Sequence, residues 1–498
     1  MKVLFVMLND RKRTLIPPSL AVLIAVLKTN GIETKLFDIS FYAENERVGD
    51  EDSKEDAGIF QEIDYSTIGI KKKYGLEPDF LECIRSFQPE LVAFSINSFT
   101  YEIALKFSKL LKNNFGNKIK TILGGIHVTL DYMNITDESI DFMCIGEGEL
   151  ALLELCQKME LGEPLTNIKN IWYRTNGKMI KTGLREPIEM NKLPLPDWEE
   201  FATYHQYGPW RGKLVKMALA EFSRVCPFSC TYCGNRIMID TYAQNGIKLR
   251  TRHKSPQKFI EELKFLKEKY QLEMIAILDG TFLAFPDDCL EELSRLYKKE
   301  IDLPFYITTT ASSITKKRAE LLKYMGCVCI NLGVENGDSE YRKKYMNRPW
   351  SDELIINAFR IVKEVGIEAR AYNIIGAPFE TRETIMKTIE LNRTIQADSS
   401  SLAIYIPFPG SELRNLCVEQ GLFKEGQKIR GDGTIPNIKS ATLTDDEIIG
   451  LFKTFTLYLK VPKELFPVVK LTEENSEFSE RLRKIMMELY PNIKQKTT

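Results

Sequence analysis

The sequence has no excess of charge of either sign and no long hydrophobic run. Its 68 lysines and arginines nearly balance its 69 aspartates and glutamates, and the formal net charge is −1. This balance gives no global electrostatic reason to expect nucleic acid or an anionic membrane as a partner. The longest apolar helical stretch, Leu20 to Leu27, is far shorter than the ~20 residues that span a bilayer. We therefore expect neither a nucleic-acid partner nor a membrane span.

The first residues also lack the order of a secretory signal. Residues 1–8 are apolar, but the charged run Asp10-Arg-Lys-Arg13 follows them instead of preceding them. This arrangement predicts a buried strand, and we expect a cytoplasmic protein. The ten cysteines of such a chain are more typical of metal binding or catalysis than of disulfides.

Strand and helix patterns alternate along the first 190 residues. Short apolar strands are predicted at residues 2–8, 32–38, 91–96, 118–123 and 140–145. Strands of this kind, with helices between them, form a parallel sheet that is covered on both faces. We therefore predict a Rossmann-like domain over residues 1–190, and such sheets bind ligands beyond the carboxyl ends of their strands. The acidic segment 44–62 is predicted to be a solvated loop.

The pattern restarts after a proline-containing linker, which we place at residues 191–212. Six strand–helix units follow within residues 213–420. They predict a partial (β/α)6 TIM-like barrel, whose functional residues lie at the carboxyl ends of the strands. Residues 421–498 are predicted to form a small helical region. The predicted fold class is therefore α/β, with two α/β domains and a helical C-terminal region.

Three cysteines, Cys226, Cys230 and Cys233, share one short loop between a predicted strand and a helix. Thiolates are soft ligands that suit iron–sulfur clusters and zinc. A structural zinc site normally closes with a fourth ligand, and the neighbouring sequence offers no fourth Cys or His. The three cysteines therefore favour a [4Fe-4S] cluster in which one iron keeps an open position for a small molecule. A zinc site is the alternative.

This Cys-x3-Cys-x2-Cys spacing resembles the signature of the radical S-adenosylmethionine (SAM) superfamily. The resemblance implies that the amino and carboxylate groups of SAM bind the open iron. It implies that an electron from the cluster cleaves SAM to methionine and a 5′-deoxyadenosyl radical. A low-potential electron donor, such as a flavodoxin or a ferredoxin, is implied as well.

Two further segments resemble the superfamily at the ends of predicted barrel strands. Gly333-Val-Glu335 is similar to the Gly-x-Glu that faces the ribose and the amino group of SAM. Asp279 stands where related chains often carry an acidic pair that holds the amino group. Here Gly280 and Thr281 depart from that pattern. The resemblance thus implies SAM contacts at Gly333, Glu335 and Asp279.

The resemblance also implies the residues that contact the adenine of SAM. Tyr232, just before the last cysteine, is similar to an aromatic residue that packs by the adenine. Gly376 and Pro378 belong to a segment that is similar to the fifth-strand exit beside the adenine. Val225 departs from the pattern, because glycine is common before the first cysteine.

Two glycine clusters in the N-terminal domain resemble the cobalamin-binding domain that precedes many radical SAM barrels. They are Gly124-Gly-x-His127 and Gly146-Glu-Gly-Glu149. Glycines let the backbone approach a large planar macrocycle. The implied cobalamin contacts are Asn97, Ser98, Gly124, Gly125, His127, Gly146, Glu147 and Gly148. The sequence has no Asp-x-His-x-x-Gly motif, so a bound cobalamin is expected to lack that axial histidine. A domain whose glycine turns only close the sheet is the alternative.

These resemblances imply a cobalamin-dependent radical SAM methyltransferase that acts on an unactivated carbon of a small-molecule substrate. One alternative is a cobalamin-binding radical SAM enzyme that catalyses a ring closure or a rearrangement without methylation. A non-catalytic iron–sulfur protein is an alternative of another class. Formation of 5′-deoxyadenosine from SAM separates the enzymes from the non-catalytic protein.

Overall fold

The computed structural model describes residues 1–9, 14–45, 63–431 and 433–490. The predicted acidic loop, 44–62, lies outside the described residues except for Glu44 and Asn45. The chain forms two compact units. The first contains the described part of Met1–Arg47, with Tyr65–Gly208 and Gly234–Lys254. The second contains Pro209–Cys233 and the described part of Ser255–Thr498.

Seven strands form the sheet of the first unit: β1 (Lys2–Met7), β2 (Glu33–Asp38), β3 (Leu91–Ser95), β4 (Lys120–Gly124), β5 (Phe142–Cys144), β6 (Ile171–Thr175) and β7 (Lys178–Ile180). Their order across the sheet is β2-β1-β3-β4-β5-β6-β7. β1 to β5 run parallel, as the alternating pattern predicts. The carboxyl ends of these five strands therefore share one edge of the sheet.

An antiparallel hairpin, β6 and β7, extends this sheet. The strand–helix pattern does not predict it. Its turn, Asn176-Gly177, has φ of 48° and 74°, and Asn-Gly favours positive φ at both positions of a two-residue hairpin loop. The Asn-Gly pair was therefore the sequence signal for this hairpin.

Helices connect the strands of the first unit: α1 (Pro18–Thr29), α2 (Leu76–Phe87), α3 (Tyr101–Phe115), α4 (Ile126–Asp131), α5 (Glu149–Leu161) and α6 (Gly234–Gln244). α1 begins at Pro18, because a proline in the first turn loses no helical hydrogen bond. It buries Leu20, Ile24 and Leu27. The core of this unit includes β1, where residues 3–7 are buried.

The sheet of the second unit contains β8 (Tyr207–Trp210), β9 (Lys213–Ala220), β10 (Met274–Ile277), β11 (Phe305–Thr310), β12 (Cys327–Glu335), β13 (Glu368–Ile375) and β14 (Ser399–Ile404). The strand order is β14-β13-β12-β11-β10-β9-β8. The six strands β9 to β14 run parallel in sequence order. This arrangement confirms the predicted partial barrel of six strand–helix units.

The helices of the second unit are α7 (Pro256–Tyr270), α8 (Asp287–Glu300), α9 (Lys316–Met325), α10 (Ser339–Tyr345), α11 (Asp352–Glu364), α12 (Arg382–Ile395), α13 (Glu412–Glu419), α14 (Asp445–Lys460), α15 (Phe466–Leu471) and α16 (Glu477–Leu489). Many begin at a serine or threonine whose side chain accepts a hydrogen bond from the first turn, as Ser255, Thr381 and Thr444 do. Such N-caps fix where a helix starts.

The C-terminal helices pack on the outer side of the barrel. Ile448 and Phe455 of α14 share a core with Ile389 of α12 and with Leu402 and Ile404 of β14. The predicted helical C-terminal region is therefore confirmed. Within the described ranges, no helix has the length and apolar character needed to cross a membrane.

Candidate functional site

The three predicted cluster ligands lie on one loop of the second unit, which follows the carboxyl end of β9. Cys230 is buried, and Cys226 and Cys233 are partly exposed. The loop turns back between the last two cysteines, because the Cys233 amide donates to the Cys230 carbonyl at 3.1 Å. The structure thus places all three thiols in a single compact loop.

The segment that follows α10 anchors this cysteine loop. Thr231 donates its amide to the Met346 carbonyl at 3.3 Å. Asn347 donates its side-chain amide to the Ser229 carbonyl at 2.9 Å. These bonds fix the middle of the loop to a helix end that lies more than 100 residues away in the sequence.

Asp279, at the carboxyl end of β10, fixes the start of the loop. Its carboxylate accepts hydrogen bonds from the Phe222 amide at 2.9 Å, the Ser223 amide at 2.8 Å and the Ser223 hydroxyl at 2.6 Å. Burial raises its pKa to about 7, and these hydrogen bonds act in the opposite direction. Both carboxylate oxygens are therefore engaged by the backbone that leads to Cys226. A contact with the amino group of SAM stays a prediction.

The residue before the first cysteine has an unusual backbone conformation. Val225 has φ of 71°, in the left-handed region that a β-branched residue rarely adopts. A glycine would adopt this φ without strain. The departure noted in the sequence thus has a physical cost at the turn that aims Cys226.

The donor set fits a multi-iron cluster. In the part of the chain that the structure describes, no three His, Cys, Asp or Glu side chains meet as ligands of one metal ion. A [4Fe-4S] cluster takes one thiolate on each ligated iron, so its ligands need not converge on one point. Polar groups stand next to two of the thiols: Thr281 Oγ1 is 3.3 Å from Cys226 Sγ, and Arg348 Nη1 is 3.6 Å from Cys230 Sγ.

Arg348 is the residue of this site that the sequence reasoning missed. Besides the Cys230 sulfur, its guanidinium donates to the Tyr232 hydroxyl at 3.1 Å and to the Gly333 carbonyl at 2.9 Å. It lies over the ring of Trp350, 4.1 Å from the centroid, and is 4% exposed. Burial raises the pKa of the Cys230 thiol, and the charge and hydrogen bond of Arg348 act in the opposite direction. No local sequence pattern distinguishes Arg348 from the other arginines of the chain.

Glu335, the last residue of β12, lies beside Arg348. Its Oε1 is 3.6 Å from Nη1 of the arginine, and burial raises its pKa while Arg348 lowers it. Glu335 has φ of 64°, and the pairing with β13 shifts register between Gly333 and Glu335. Such an irregularity re-aims a side chain. A Cβ at Gly333 would collide with the Glu335 carboxylate, so this glycine makes room for the ion pair.

The three residues with predicted adenine contacts lie near one another in the fold. Tyr232 packs against a core cluster that contains Tyr341 and Ala377. Tyr341 donates its hydroxyl to the Pro378 carbonyl at 2.7 Å. Gly376 has φ of 69° and lies close to Ile448 and Ile404. The cluster therefore links Tyr232 to the segment after β13.

The buried acid Glu380 is a second residue that the sequence reasoning missed. It accepts hydrogen bonds from the Asn336 side chain at 2.7 Å and from the Ala377 amide at 3.2 Å. Burial raises its pKa to about 8. Glu380 thus ties the exit of β13 to the residue that follows Glu335. Its position two residues after Pro378 was the available signal.

In the first unit, the predicted cobalamin contacts lie along the carboxyl edge of the sheet. Asn97 follows β3 and is exposed. Ser98 Oγ is 3.0 Å from Nδ1 of His127, and the His127 ring lies 4.8 Å from the ring of Tyr101. His127 is 4% exposed. The histidine is therefore directed towards side chains of its own unit.

At Gly125 and Gly146, other parts of the protein occupy the space that a side chain would need. Gly125 has φ of 95°, and a Cβ there would lie 2.5 Å from the Ile96 carbonyl. Gly146 has φ of 77°, and a Cβ there would overlap the hydroxyl of Tyr242. A Cβ at Gly124 or Gly148 would lie at an ordinary contact distance from Cys144. Internal packing thus accounts for two of the four glycines.

Glu147 is engaged in an ion pair inside the first unit. Its carboxylate pairs with the guanidinium of Arg252 and accepts the Ile188 amide at 2.9 Å. Arg252 also donates to the Ile188 carbonyl at 2.9 Å. Neither Arg252 nor Tyr242 was singled out in the sequence, because each lies about 100 residues from its partner.

The carboxyl edge of this sheet retains groups that suit a corrinoid. Ile126 and Leu150, which follow the turns after β4 and β5, are 45% and 43% exposed. Cobalamin combines a broad ring with amide side chains. Exposed apolar side chains and the exposed Asn97 amide offer both kinds of contact at this edge, so the residues fit the group.

Two family models match the chain. The model of the Radical SAM superfamily matches residues 220–391, and the model of the B12 binding domain matches residues 6–156. The first range contains the cysteine loop and Glu335. The second contains the carboxyl edge with Asn97 and the glycine turns.

Two relatives are similar over much of the chain. The protein named uncharacterized methyltransferase PH0819, of Pyrococcus horikoshii, is 25% identical over 392 residues, which cover 78% of this chain and 82% of the relative. The anaerobic magnesium-protoporphyrin IX monomethyl ester cyclase of Rubrivivax gelatinosus is 26% identical over 350 residues, which cover 68% of this chain and 60% of the cyclase. The chain thus spans most of the first relative and about three-fifths of the second.

A solved structure has the same architecture. The radical SAM methyltransferase TsrM of Kitasatospora setae, with cobalamin and a [4Fe-4S] cluster bound, superposes with a TM-score of 0.63 at 14% identity. The match covers 98% of this chain and 99% of TsrM. The two proteins share a fold, in agreement with the predicted order of domains.

Proposed function

Since the chain belongs to the radical SAM superfamily and carries a B12-binding domain, we propose that it is a cobalamin-dependent methyltransferase that acts on an unactivated carbon of a small molecule. The observation that carries this proposal is the presence of both domains in one chain. When bound, the cluster, SAM and cobalamin supply a 5′-deoxyadenosyl radical for hydrogen abstraction and a methyl group for transfer. The protein's part is to bind, orient and shield these groups.

Cys226, Cys230 and Cys233 are the proposed ligands of the [4Fe-4S] cluster. Asp279 acts on them as a positioning residue, because its three hydrogen bonds fix the backbone just before Cys226. A ligand loop held by such outer contacts keeps its geometry when the metal group changes charge.

The proposed SAM contacts combine opposite charges with an apolar wall. Arg348 suits the carboxylate of SAM, and Glu335 suits its ammonium or a ribose hydroxyl. Gly333 leaves the space that the two charged side chains occupy. Tyr232, with Gly376 and Pro378, forms the proposed adenine side, where an aromatic ring offers a stacking surface.

The proposed cobalamin contacts divide into direct and indirect ones. Asn97 and the backbone at Gly124 lie at the exposed carboxyl edge and are proposed to touch the corrinoid. The remaining residues are proposed to maintain the shape of this edge by contacts within the unit. Ser98 contacts His127, and Glu147 pairs with Arg252. Gly125 and Gly146 leave space for Ile96 and Tyr242. Gly148 is also proposed as a direct contact. A Cβ there would lie only at ordinary contact distances from Cys144 and Leu23, so internal packing does not require a glycine at this position.

Three further points belong to this proposal. We place a cobalamin-binding domain at residues 1–190, a linker at 191–212, the barrel at 213–420 and the helical region at 421–498. A flavodoxin or ferredoxin is the proposed electron donor, because reductive cleavage of SAM needs a low-potential electron. The cytoplasm is the proposed location, since such donors and free thiols are maintained there.

Anaerobic turnover tests the proposal. The protein, reconstituted with iron, sulfide and hydroxocobalamin, is incubated with SAM and dithionite, and 5′-deoxyadenosine is measured. We expect its formation, together with about four irons per chain and a retained corrinoid spectrum. Replacement of Cys230 by Ala is expected to abolish 5′-deoxyadenosine. The matched control is Cys156→Ala, in a buried position of the other unit, which is expected to leave it intact. Equal activity in both variants contradicts the proposal.

A ring-closing or rearranging enzyme is the second candidate, and the similarity to the Rubrivivax cyclase favours it. The two candidates differ in their products. A methyltransferase of this kind adds one methyl group and consumes two SAM, with formation of both S-adenosylhomocysteine and 5′-deoxyadenosine. Formation of 5′-deoxyadenosine with no mass gain in the substrate supports the second candidate.

A further inference from the structure

The last described helix, α16, is anchored to the second unit by one face. Ser479, Arg483 and Met486 are buried, and Met486 belongs to the core that contains Ile448 and Phe455. Arg483 donates to the Thr472 carbonyl at 3.1 Å. This face satisfies the packing that a surface helix normally needs.

A stripe of exposed apolar side chains runs along a neighbouring side of α16, about a quarter turn around the helix axis from the buried face. Phe478, Ile485 and Leu489 are 67%, 51% and 70% exposed. Leu482, between them, is partly exposed and also packs against the core of its own unit. The intervals between the four residues are four, three and four, which is the spacing of a coiled-coil seam. Exposed apolar residues grouped in this way mark an interaction surface.

The charges on α16 indicate what kind of partner binds the exposed apolar stripe. The helix carries three acidic residues and three basic ones, Arg481, Arg483 and Lys484. A helix that binds an anionic membrane is instead rich in lysine and arginine on its polar face. Residues 491–498 contain a single large apolar residue, Ile493.

A second copy of the same helix fits the stripe when it runs antiparallel. In that register Phe478 faces Leu489 of the other copy, and Leu482 faces Ile485. Beside the seam, the exposed Arg481 then faces the exposed Glu488 of the other copy. A two-fold axis repeats the favourable pair, so that one helix surface complements itself.

We propose that the chain forms a homodimer through antiparallel packing of α16 against α16 of a second copy. Four apolar side chains and two ion pairs make a small interface compared with the ~800 Å² per partner of a stable complex. The dimer is therefore in exchange with monomer over a micromolar range of concentration. This association is independent of the chemistry at the cysteine loop.

Sedimentation velocity of the anaerobically purified full chain tests the proposal across a range of concentrations. We expect a concentration-dependent dimer in the wild type. Ile485→Glu places a charge in the centre of the seam and is expected to raise the dissociation constant at least tenfold. Leu161→Glu, at an equally exposed apolar residue of the first unit, is the matched control and is expected to leave the dimer unchanged.

Charge reversal tests the register. Arg481→Glu and Glu488→Arg each create two like-charged pairs, and each is expected to weaken the dimer. The double variant restores opposite charges and is expected to recover the wild-type dissociation constant. A wild type that stays monomeric overturns the proposal, as does a double variant weaker than both single variants. Binding of wild type, but not Ile485→Glu, to phosphatidylglycerol vesicles without dimerisation assigns the stripe to a membrane and likewise overturns it.

Discussion

Residues whose burial or backbone conformation costs folding free energy concentrate around the cysteine loop. Arg348 and Asp279 are ionisable and nearly inaccessible, at 4% and 2% exposure, while Val225 and Glu335 have left-handed backbones. Buried charges and strained backbones persist only where surrounding contacts impose them. Arg348 contacts Cys230, Val225 precedes Cys226, Asp279 holds the backbone at Phe222 and Ser223, and Glu335 pairs with Arg348. Their common effect is to preset the loop before a cluster binds.

Among these residues, Arg348 is expected to have the most direct electrostatic effect on the proposed cluster. In the wild type, the positive charge of Arg348 and its hydrogen bond to Cys230 both stabilise the reduced, more negative cluster. Replacement of Arg348 by Met removes both. We expect Arg348→Met to shift the midpoint potential of the cluster to a more negative value, measured by spectroelectrochemistry without SAM. The loss of a buried partner is also expected to cost about 3 kcal/mol of stability.

A matched variant separates the electrostatic effect from the loss of stability. Arg342 is equally buried but pairs with Asp352 and with backbone carbonyls instead of a cysteine. Arg342→Met is therefore expected to lower stability to a similar extent and to leave the potential nearly unchanged. An equal shift of the potential in both variants would contradict the assigned role of Arg348.

At the scale of secondary structure elements, the carboxyl ends of strands are held by contacts from distant segments. In the first unit, Asp38 ends β2 and is bound by the short helix Thr203–Gln206. His205 Nε2 is 2.8 Å from the Asp38 carboxylate, and its Nδ1 is 2.7 Å from the Thr14 carbonyl. Tyr204 donates to the same carboxylate at 2.6 Å. One buried acid thus joins three segments.

The free energy of unfolding is expected to depend on pH through the contacts of Asp38 with His205 and Tyr204. Burial raises the pKa of Asp38, but the hydrogen bond and charge of His205 outweigh it, and the pKa falls to about 2. A lowered carboxyl pKa stabilises the fold above its unfolded value near 3.9, and the effect is lost as the pH falls towards 2. The contribution at neutral pH is about 2 kcal/mol.

Replacement of Asp38 by Asn removes the titration. Wild type is expected to exceed Asp38→Asn in unfolding free energy by about 2 kcal/mol at pH 6 and by about half of that at pH 3. The measurement is thermal unfolding at a series of pH values. A difference between the two proteins that stays constant from pH 6 to pH 3 contradicts the assignment.

At the scale of the whole molecule, each compact unit has its own sheet and its own core. Units of this kind unfold in separate transitions when the contacts between them are few. A ligand raises the stability of the unit that binds it, by about 2.7 kcal/mol at a hundred times its dissociation constant. The cofactors therefore offer separate probes of the two units.

Calorimetry of the full chain checks this assignment. We expect hydroxocobalamin to raise the midpoint of one transition by several degrees and cluster reconstitution to raise that of the other. In the triple variant with Ala at 226, 230 and 233, the cobalamin response is expected to remain and the cluster response to disappear. A triple variant that no longer responds to cobalamin contradicts the separate assignment of the two cofactors.

The sequence by itself determined the features that depend on neighbouring residues. Alternating strand and helix periods identified the parallel sheet and the six-stranded barrel, and the spacing of Cys226, Cys230 and Cys233 predicts the cluster ligands. The Asn176-Gly177 hairpin carried its own signal as well, which the strand–helix pattern obscured. Such features arise from backbone preferences and short spacings, and these are written in contiguous sequence.

Only the tertiary structure decided which distant residues support the site. Arg348 is 118 residues from Cys230, and Tyr242 is 95 residues from Glu147. The positions of Gly125 and Gly146 are explained by packing against Ile96 and Tyr242, although their sequence context resembles a cofactor cradle. These contacts depend on how the elements meet after folding. No local pattern encodes them, because each partner alone is compatible with many neighbours.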